Sequence, residues 1–394
     1  MFSTRTAWNL AHNRYTEALD ASSRSGRKIL DLTASNPTVI GLQYDEDQLL
    51  AALSNRESLT YQPTPKGMLS ARKAVAAYYT EKGSEISADD LVLTTSTSEA
   101  YSFVFRLLCD PGDAVLVPVP SYPLFDFLAD LNDVKLIPYE LVYDDGWQID
   151  FHSIRQALDR AESQGIRCRA LLTLHPNNPT GSYIQPHEAT ELSAICAASD
   201  MALIVDEVFL DYVVSQNPYP SFSANPSALT FTLSGLSKIS ALPQMKVSWV
   251  AVSGPPVAKA EALGRLEVIV DTYLSMNAPV QLAVPQMLDQ ASSIQRQLVG
   301  RIRTNLDSLD ATLRAQNLCH RLRVDGGWYG MLRVPVLGPD EDLAIDILRH
   351  TGVLLQPGHF YNVPAEGHLV VSLITPSDDF KFGIQRALAF IVGR

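Results

Sequence analysis

The sequence has few cysteines and no long apolar run, and both shortages exclude classes of protein. Its four cysteines (Cys109, Cys168, Cys196 and Cys319) lie far apart, and no two are spaced as C-x-x-C. A disulfide framework or a metal site is therefore not expected. No stretch reaches about 18 apolar residues, as a transmembrane helix needs. The first residues lack the apolar segment of a secretory signal, so we expect a cytoplasmic protein.

Positive charge is also scarce. The 394 residues include 31 Lys and Arg against 43 Asp and Glu, which gives a net charge of −12. An acidic chain repels nucleic acid and anionic membranes, so neither is expected as a partner. A phosphate or carboxylate ligand would need a local arrangement of residues that attracts it in spite of the net negative charge of the protein. The apolar fraction of 46% is that of a globular protein, and the length predicts two to three domain-sized units.

Short, nearly continuous apolar runs occupy the middle of the chain, a pattern typical of strands buried on both faces of a parallel sheet. They lie at 91–94, 114–119, 134–138, 170–174, 202–205, 229–233 and 247–252. Helical patterns at 98–108 and 187–199 alternate with them. The sequence therefore predicts an α/β fold with a mainly parallel seven-stranded sheet sandwiched by helices.

The two ends of the chain have a different pattern. An amphipathic helix is predicted at 292–317, followed by strands near 328–334 and 369–374 and helices at 340–351 and 378–392. We predict a large domain at 46–290 and a smaller α+β domain at 291–394. The N-terminal segment, 1–45, is predicted to contribute to the smaller domain.

Lys238 ends the segment Ser234-Gly235-Leu236-Ser237-Lys238, which lies between two predicted strands. A lysine amine attacks carbonyl groups only when it is neutral, and burial near another cation lowers its pKa. Lys246, eight residues further on, could be that cation or could bind a phosphate. A surface lysine in a polar loop is the alternative interpretation of this segment alone.

Asn178 and Asp206 each follow a predicted strand, at the end where parallel sheets bind ligands. Asn178, within His175-Pro176-Asn177-Asn178-Pro179-Thr180-Gly181, could donate to a ligand oxygen or belong to a tight turn without a ligand. Asp206 would be nearly buried and would need a partner such as a protonated ring nitrogen. A helix N-cap or a metal ligand are its alternatives.

Two more strand ends carry polar or aromatic residues. The segment Thr94-Thr95-Ser96-Thr97-Ser98-Glu99 precedes a predicted helix, and hydroxyl and backbone N–H groups at a helix N-terminus can bind an anion. An ordinary N-cap is the alternative. Tyr122 follows the strand at 114–119 and could stack on a planar ring or pack into the core.

Taken together, these motifs resemble the fold-type I class I/II aminotransferases, which depend on pyridoxal 5′-phosphate (PLP). The resemblance spans nearly the whole chain and rests on the Asn-Pro-Thr-Gly, Asp-Glu-Val-Phe and Ser-x-x-Ser-Lys segments that contain or adjoin Asn178, Asp206 and Lys238. It implies PLP as the cofactor and a homodimer with sites at the interface.

The resemblance also implies a role for each site residue. Lys238 would hold PLP as a Schiff base and move a proton during catalysis, Asp206 would pair with the protonated ring nitrogen, and Asn178 would bind the phenolic oxygen. Tyr122 would stack on the ring. The phosphate would be bound by a set of polar residues, namely Ser96, Thr97, Ser98, Ser237 and Lys246, with Tyr61 reaching it from the neighbouring subunit.

Two departures from the family concern the cofactor. Phe209 stands where a tyrosine commonly donates to the phenolic oxygen, and Tyr212 is a candidate replacement. With fewer donors to that oxygen, the pKa of the lysine–cofactor linkage should rise. Lys246 stands where the family has an arginine, so the charge is kept but the bidentate fork is lost.

A third departure concerns the substrate. Val370 occupies the position at which most members carry an arginine that binds the substrate α-carboxylate. Either another cation replaces that arginine or the substrate is not a standard α-amino acid. We predict Arg333 as the substitute, with Asn36 as a further candidate substrate contact.

The predicted function is transfer of an amino group from an amino acid or amine to a 2-oxo acid by a ping-pong cycle. Another PLP enzyme on the same scaffold, a β-eliminating lyase or a decarboxylase, is the alternative. A non-enzymatic module of a DNA-binding regulator is not favoured, because the chain is acidic and the resemblance begins within about 35 residues of its start.

Overall fold

The computed structural model describes residues 1–123, 125–215, 219–336 and 338–393. The strands, in chain order, are β1 Leu30–Asp31, β2 Leu91–Thr94, β3 Ala114–Val119, β4 Lys135–Tyr143, β5 Trp147–Ile149, β6 Cys168–Leu174, β7 Ala202–Asp206, β8 Thr230–Gly235, β9 Ser248–Ser253, β10 His320–Arg321, β11 Tyr329–Arg333, β12 Val353–Leu354, β13 Gln356–Pro357 and β14 His368–Ser372.

The helices are α1 Arg14–Arg24, α2 Glu46–Leu53, α3 Leu69–Glu81, α4 Thr97–Leu108, α5 Phe125–Leu131, α6 Phe151–Ser163, α7 Pro186–Ala198, α8 Leu236–Ile239, α9 Pro256–Tyr273, α10 Ala278–Asp289, α11 Ala291–Leu313, α12 Asp340–Thr351 and α13 Ser377–Val392. Within the described ranges, no helix has the length and apolar character needed to cross a bilayer.

The central sheet has eight strands in the order β2-β9-β8-β7-β6-β3-β4-β5. Strand pairing is parallel from β8 through β7, β6 and β3 to β4, and antiparallel where β9 and β5 join. The prediction of a mainly parallel sheet is therefore confirmed. The eighth strand, β5, was not predicted because its three residues are too few to show a pattern.

Helices cover both faces of this sheet, as the continuous apolar runs indicate. On one face, α4, α5 and α9 share an apolar cluster with alternate residues of the central strands; it includes Phe103 of α4, Leu266 of α9 and Leu172 of β6. On the other face, α6 and α7 pack against the intervening residues, for example Leu203 against Leu192. Both faces are thereby removed from water, which is the condition under which an all-apolar parallel strand is stable.

A second, antiparallel sheet is built by β10, β11, β14 and β13 in that order. Beside it, β1 pairs in parallel with β12, with Leu30 opposite Val353. The N-terminal Leu32, fully buried, shares one apolar cluster with residues of α11, α12 and α13. The start and the end of the chain therefore build one common core.

Asn305 connects α11 to the chain that follows β14. Its side chain is fully buried, and its Nδ2 donates to the backbone oxygens of Leu373 (2.9 Å) and Thr375 (2.8 Å). Buried carbonyl groups need a partner, because burying one without a hydrogen bond costs about 1–3 kcal/mol. This single amide thus satisfies two carbonyls of the non-helical segment before α13.

We expect Asn305→Ala to lower the free energy of unfolding by about 2–3 kcal/mol, since two buried carbonyls lose their donor. Urea unfolding followed by circular dichroism measures the loss. Thr304→Ala is the matched control: Thr304 is exposed and bonds only to Gly300 of its own helix, so its effect should stay within about 0.5 kcal/mol. Equal losses in the two variants would contradict this assignment.

Candidate active site

A cavity of about 250 Å³ lies at the carboxyl edge of the central sheet, next to the antiparallel sheet. The parallel strands β6, β7 and β8 all end there, and so do β2 and β3. The lining residues are Ser35, Thr97, Tyr122, Pro123, Leu174, Asn178, Asp206, Val208, Phe209, Ser237, Lys238, Tyr329, Gln356 and Tyr361. Six of the residues predicted from the sequence are thereby brought together.

Asp206 is the last residue of β7 and is buried. Its Oδ1 accepts from the backbone N–H of Val208 at 3.0 Å, and its Oδ2 accepts from the hydroxyl of Tyr101 at 2.8 Å. Burial raises the pKa of this carboxyl, whereas the two hydrogen bonds and the positive charge of Lys238 hold it lower. The charged form of Asp206 is therefore favoured by these two hydrogen bonds and by the positive charge of Lys238.

Lys238 lies in α8, directly after β8, and its Nζ is enclosed by aromatic rings. The Nζ is 4.7 Å from the ring centre of Trp328 and 5.5 Å from that of Phe209. Burial lowers the pKa of Lys238 to about 8, against the attraction of Asp206, which raises it. About one tenth of this amine is consequently neutral at pH 7, far more than for an ordinary lysine, and the neutral form is the one that attacks a carbonyl.

Asn178 follows β6 in a turn that its neighbours fix. Gly181 takes a positive φ of 69°, and a Cβ at this position would lie 2.6 Å from the backbone oxygen of Gly326. The N–H of Gly181 donates to the backbone oxygen of Asn177 at 2.8 Å. The Oδ1 atom of Asn178 is buried and has no hydrogen-bond partner, so the turn brings to the cavity lining an amide whose acceptor is unsatisfied.

The residues predicted to bind a phosphate divide into two groups. Thr97, the first residue of α4, and Ser237 line the cavity. Ser96 caps α4 instead: its Oγ accepts from the N–H of Glu99 at 3.0 Å. Ser98 is half-buried and Lys246 is exposed, and neither lines the cavity.

The aromatic residues around the cavity are only partly as expected. Tyr122 lines it and is 37% exposed, so its ring is accessible for stacking. Phe209 lines it too and packs against Trp328, with ring centres 5.2 Å apart. Tyr212 cannot replace the hydroxyl that Phe209 lacks, because it is fully buried and its OH donates to the backbone oxygen of Lys238 at 2.5 Å.

The structure does not bring Arg333 to this cavity. Arg333 is the last residue of β11, four positions beyond Tyr329, which at about 3.3 Å per residue is about 13 Å along the strand. Its side chain is exposed, with the guanidinium carbon 5.9 Å from the ring centre of Tyr143. The expectation that it lines the substrate pocket is corrected: it lies on the correct strand but at the wrong end.

Asn36 and Tyr61 also lie outside the lining. The Oδ1 of Asn36 accepts from the N–H of Thr38 at 3.0 Å and from its hydroxyl at 2.7 Å, so it closes a local turn. Tyr61 is 77% exposed. Val370 is fully buried in β14, and an apolar residue there offers no charge to a ligand.

Sequence reasoning missed four residues of the site. Tyr101 bonds to Asp206 across 105 residues of chain, and Tyr329, Gln356 and Tyr361 form the cavity wall from the antiparallel sheet and the turn that follows β13. Tyr329 belongs to the strand predicted near 328–334, which also carries Arg333. The others depend on tertiary contacts that no local pattern shows.

Two buried titratable groups beside the site are structural. His175 accepts the N–H of Ile184 at its Nδ1 (3.1 Å), and burial lowers its pKa to about 3. Burial raises the pKa of Glu207 to about 8, while Ser221 and the N–H of Phe222 donate to it at 2.6 Å each. Within the described ranges, no group of three His, Cys, Asp or Glu side chains is placed to hold a metal ion.

Comparison with known proteins identifies the family. The model of the family "Aminotransferase class I and II" matches residues 27–379. The glutamate-pyruvate aminotransferase of Haemophilus influenzae is 26% identical over 93% of this chain and 91% of its own length. The alanine aminotransferase of Mycobacterium tuberculosis is also 26% identical, over 93% of this chain and 86% of its own.

Solved structures agree on the fold. The alanine aminotransferase of Pyrococcus furiosus superposes with a TM-score of 0.87, at 22% identity, over all of both chains. An aspartate aminotransferase double mutant of Thermus thermophilus gives a TM-score of 0.84, at 20% identity, over 99% of each. The chain therefore belongs to the class I and II aminotransferases, a PLP-dependent family, and is an aminotransferase.

Proposed function

We propose that the cavity at the sheet edge is the site of amino transfer between an amino donor and a 2-oxo acid, with PLP as its cofactor. The observation that carries this proposal is the convergence of Lys238, Asp206 and Asn178 on one cavity, although they are separated by 28 and 32 residues of chain. Every relative described above is named an aminotransferase, which does not favour a lyase or decarboxylase.

The residues present fit PLP. Asn178 lines the cavity, and its Nδ2 would donate to the phenolic oxygen, while the carboxylate of Asp206 suits the protonated ring nitrogen. Tyr122 lines the cavity and would stack on the ring, and Thr97, at the N-terminus of α4, and Ser237 would bind the phosphate. Ser96, Ser98, Lys246 and the partner-reaching Tyr61 stay predictions as phosphate contacts.

When bound, PLP supplies an electron-withdrawing ring that stabilises the electron pair left at the substrate carbon. The chain's own part is to bind, orient and move protons. Among the described residues that line the cavity, Lys238 is the only basic side chain. Its Nζ therefore is the atom that can take a proton and return it. Asp206, held at both oxygens by Tyr101 and Val208, fixes the orientation of its partner.

Assembly, compartment and domain division belong to the same proposal. We infer a cytoplasmic homodimer, as the family resemblance implies; the 77% exposure of Tyr61 leaves its ring available to a second subunit. The division into 1–45, 46–290 and 291–394 is supported by the pairing of β1 with β12, which places the first segment against the last.

Lys238→Ala should abolish covalent capture of PLP, because no other basic side chain of the described lining can react. Borohydride reduction followed by peptide mass spectrometry measures the capture. Lys135→Ala, which changes an exposed lysine on β4, is the control and should retain it fully. Finding the reduced cofactor on another lysine of the native protein would refute the assignment.

The pKa of Lys238 should be about 8 in the cofactor-free protein and should fall below that in Asp206→Asn, because Asp206 raises it. A depressed lysine pKa means that the neutral amine accumulates as the pH rises through 8. NMR titration of ¹³C-methylated lysines measures both values. An Asp206→Asn variant with an unchanged or higher pKa would show that the two groups do not interact.

Tyr101→Phe should raise the pKa of Asp206, since the hydrogen bond that it removes favours the carboxylate. Acidification would then weaken PLP binding at a higher pH than in the native protein, as read from the dissociation constant of PLP against pH. The control is Tyr139→Phe, another buried tyrosine, whose OH bonds to Leu172 O at 3.0 Å. If both variants shifted the profile equally, a general loss of stability would explain the effect.

A further inference from the structure

The cavity wall that faces Lys238 and Asp206 is polar but uncharged. It is formed by Tyr329 of β11, Gln356 of β13 and Tyr361. Among the described residues that line the cavity, Lys238 and Asp206 are the only ones with charged side chains, and their charges are opposite. An incoming anion therefore finds no arginine, histidine or second lysine in this lining.

Gln356 and Tyr361 form a hydrogen-bonded pair within this wall. The hydroxyl of Tyr361 donates to Oε1 of Gln356 at 2.5 Å, which leaves the Nε2 amide of Gln356 as a donor. Burial raises the pKa of Tyr361 and of Tyr329 well above that of a free tyrosine. Both phenols consequently stay neutral, and the wall offers hydrogen bonds without net charge.

The strand register explains why no cation reaches this wall. Gln356 lies directly opposite Val370 in the antiparallel pair of β13 and β14, and Met331 lies opposite Val370 on the other side. Residues directly opposite each other point to the same face of a sheet. Gln356 is thus the polar member of a row whose other two members are apolar.

This wall discriminates by charge. A carboxylate that enters it exchanges water for the Nε2 amide of Gln356 and the hydroxyl of Tyr329, because the proton of Tyr361 is already donated to Gln356. The only cation in the described lining is Lys238, and burying an uncompensated carboxylate is costly. The nearby carboxylate of Asp206 adds repulsion. An amide, ester or hydroxymethyl group makes the same hydrogen bonds with a far smaller loss of hydration energy.

We propose that the Gln356–Tyr361 pair recognises an amino donor whose amine-bearing carbon carries a neutral hydrogen-bonding group in place of a free carboxylate. The donor class is therefore that of amino amides, amino esters and amino alcohols. This inference rests on the proposed function, and it names the substrate class of that same site. A 2-oxo acid can still bind through the neutral donors, at a higher KM.

The test compares donors that differ only at this group, using the PLP-loaded enzyme. L-Alaninamide and L-alaninol are each compared with L-alanine, and the amino transfer is followed by the loss of the visible absorbance of bound cofactor in a single turnover. We expect kcat/KM at least about 10-fold higher for the neutral donors. A native enzyme that used alanine as well as or better than alaninamide would overturn the inference while leaving amino transfer intact.

A binding measurement separates recognition from catalysis. Propionamide and propionate lack the amine, so calorimetry on the PLP-loaded enzyme measures how the wall receives the neutral and the charged group. We expect propionamide to bind at least about 10-fold more tightly. Tighter binding of propionate would contradict the proposal even if every donor reacted slowly. If none of the donors, charged or neutral, caused the absorbance loss, both the proposed function and this inference would fail.

Variants of Gln356 and Tyr361 test whether these two residues cause the preference for neutral donors. Gln356→Leu keeps the size but removes the amide, and should lower kcat/KM for alaninamide about 10-fold, the value of about one hydrogen bond, with less effect on alanine. Tyr361→Phe should act in the same direction, which guards against a folding defect in either variant. If Arg333→Ala abolished the use of alanine, Arg333 would be the carboxylate partner and the inference would be wrong.

Discussion

The parallel alignment of β6, β7 and β8 is the constraint on which the rest of the site depends. Leu174 pairs with Asp206, and Asp206 pairs with Leu233, so β6 and β7 end at one level and β8 ends two residues beyond it. The residues that follow each strand must therefore meet at one edge, however far apart they are in the chain. The proposed site is a product of this register, since none of the three segments forms a site alone.

The ionisation of Asp206 and that of Lys238 depend on each other at that edge. Asp206 is nearly out of contact with water, and burial alone would favour its neutral form. The N–H of Val208, the hydroxyl of Tyr101 and the charge of Lys238 act against that tendency. The same carboxylate raises the pKa of Lys238, which burial lowers to about 8. The two groups therefore limit each other's departure from their ordinary ionisation.

The fold could be predicted from the sequence wherever a strand is buried on both of its faces. The run at 202–205 is continuous because both of its faces are covered, and it matches Ala202–Asp206 closely. The run at 134–138 underestimates Lys135–Tyr143, because this strand near the sheet edge is partly exposed and its burial varies along its length. The site could be predicted where it depends on strand ends, as for Asn178. It could not be predicted where partners meet through tertiary packing, as Gln356 and Tyr361 do.

The hydroxyl of Tyr212 fastens the main chain of Lys238, not its amine. A lysine side chain is a flexible four-carbon stem. Here its main-chain end is held by the hydrogen bond from Tyr212, while its Nζ lies 4.7 Å from the ring centre of Trp328. The amine can therefore move only as far as rotation about the bonds of its own side chain allows. The starting point of the amine's reach is thus fixed by a tyrosine that does not itself line the cavity.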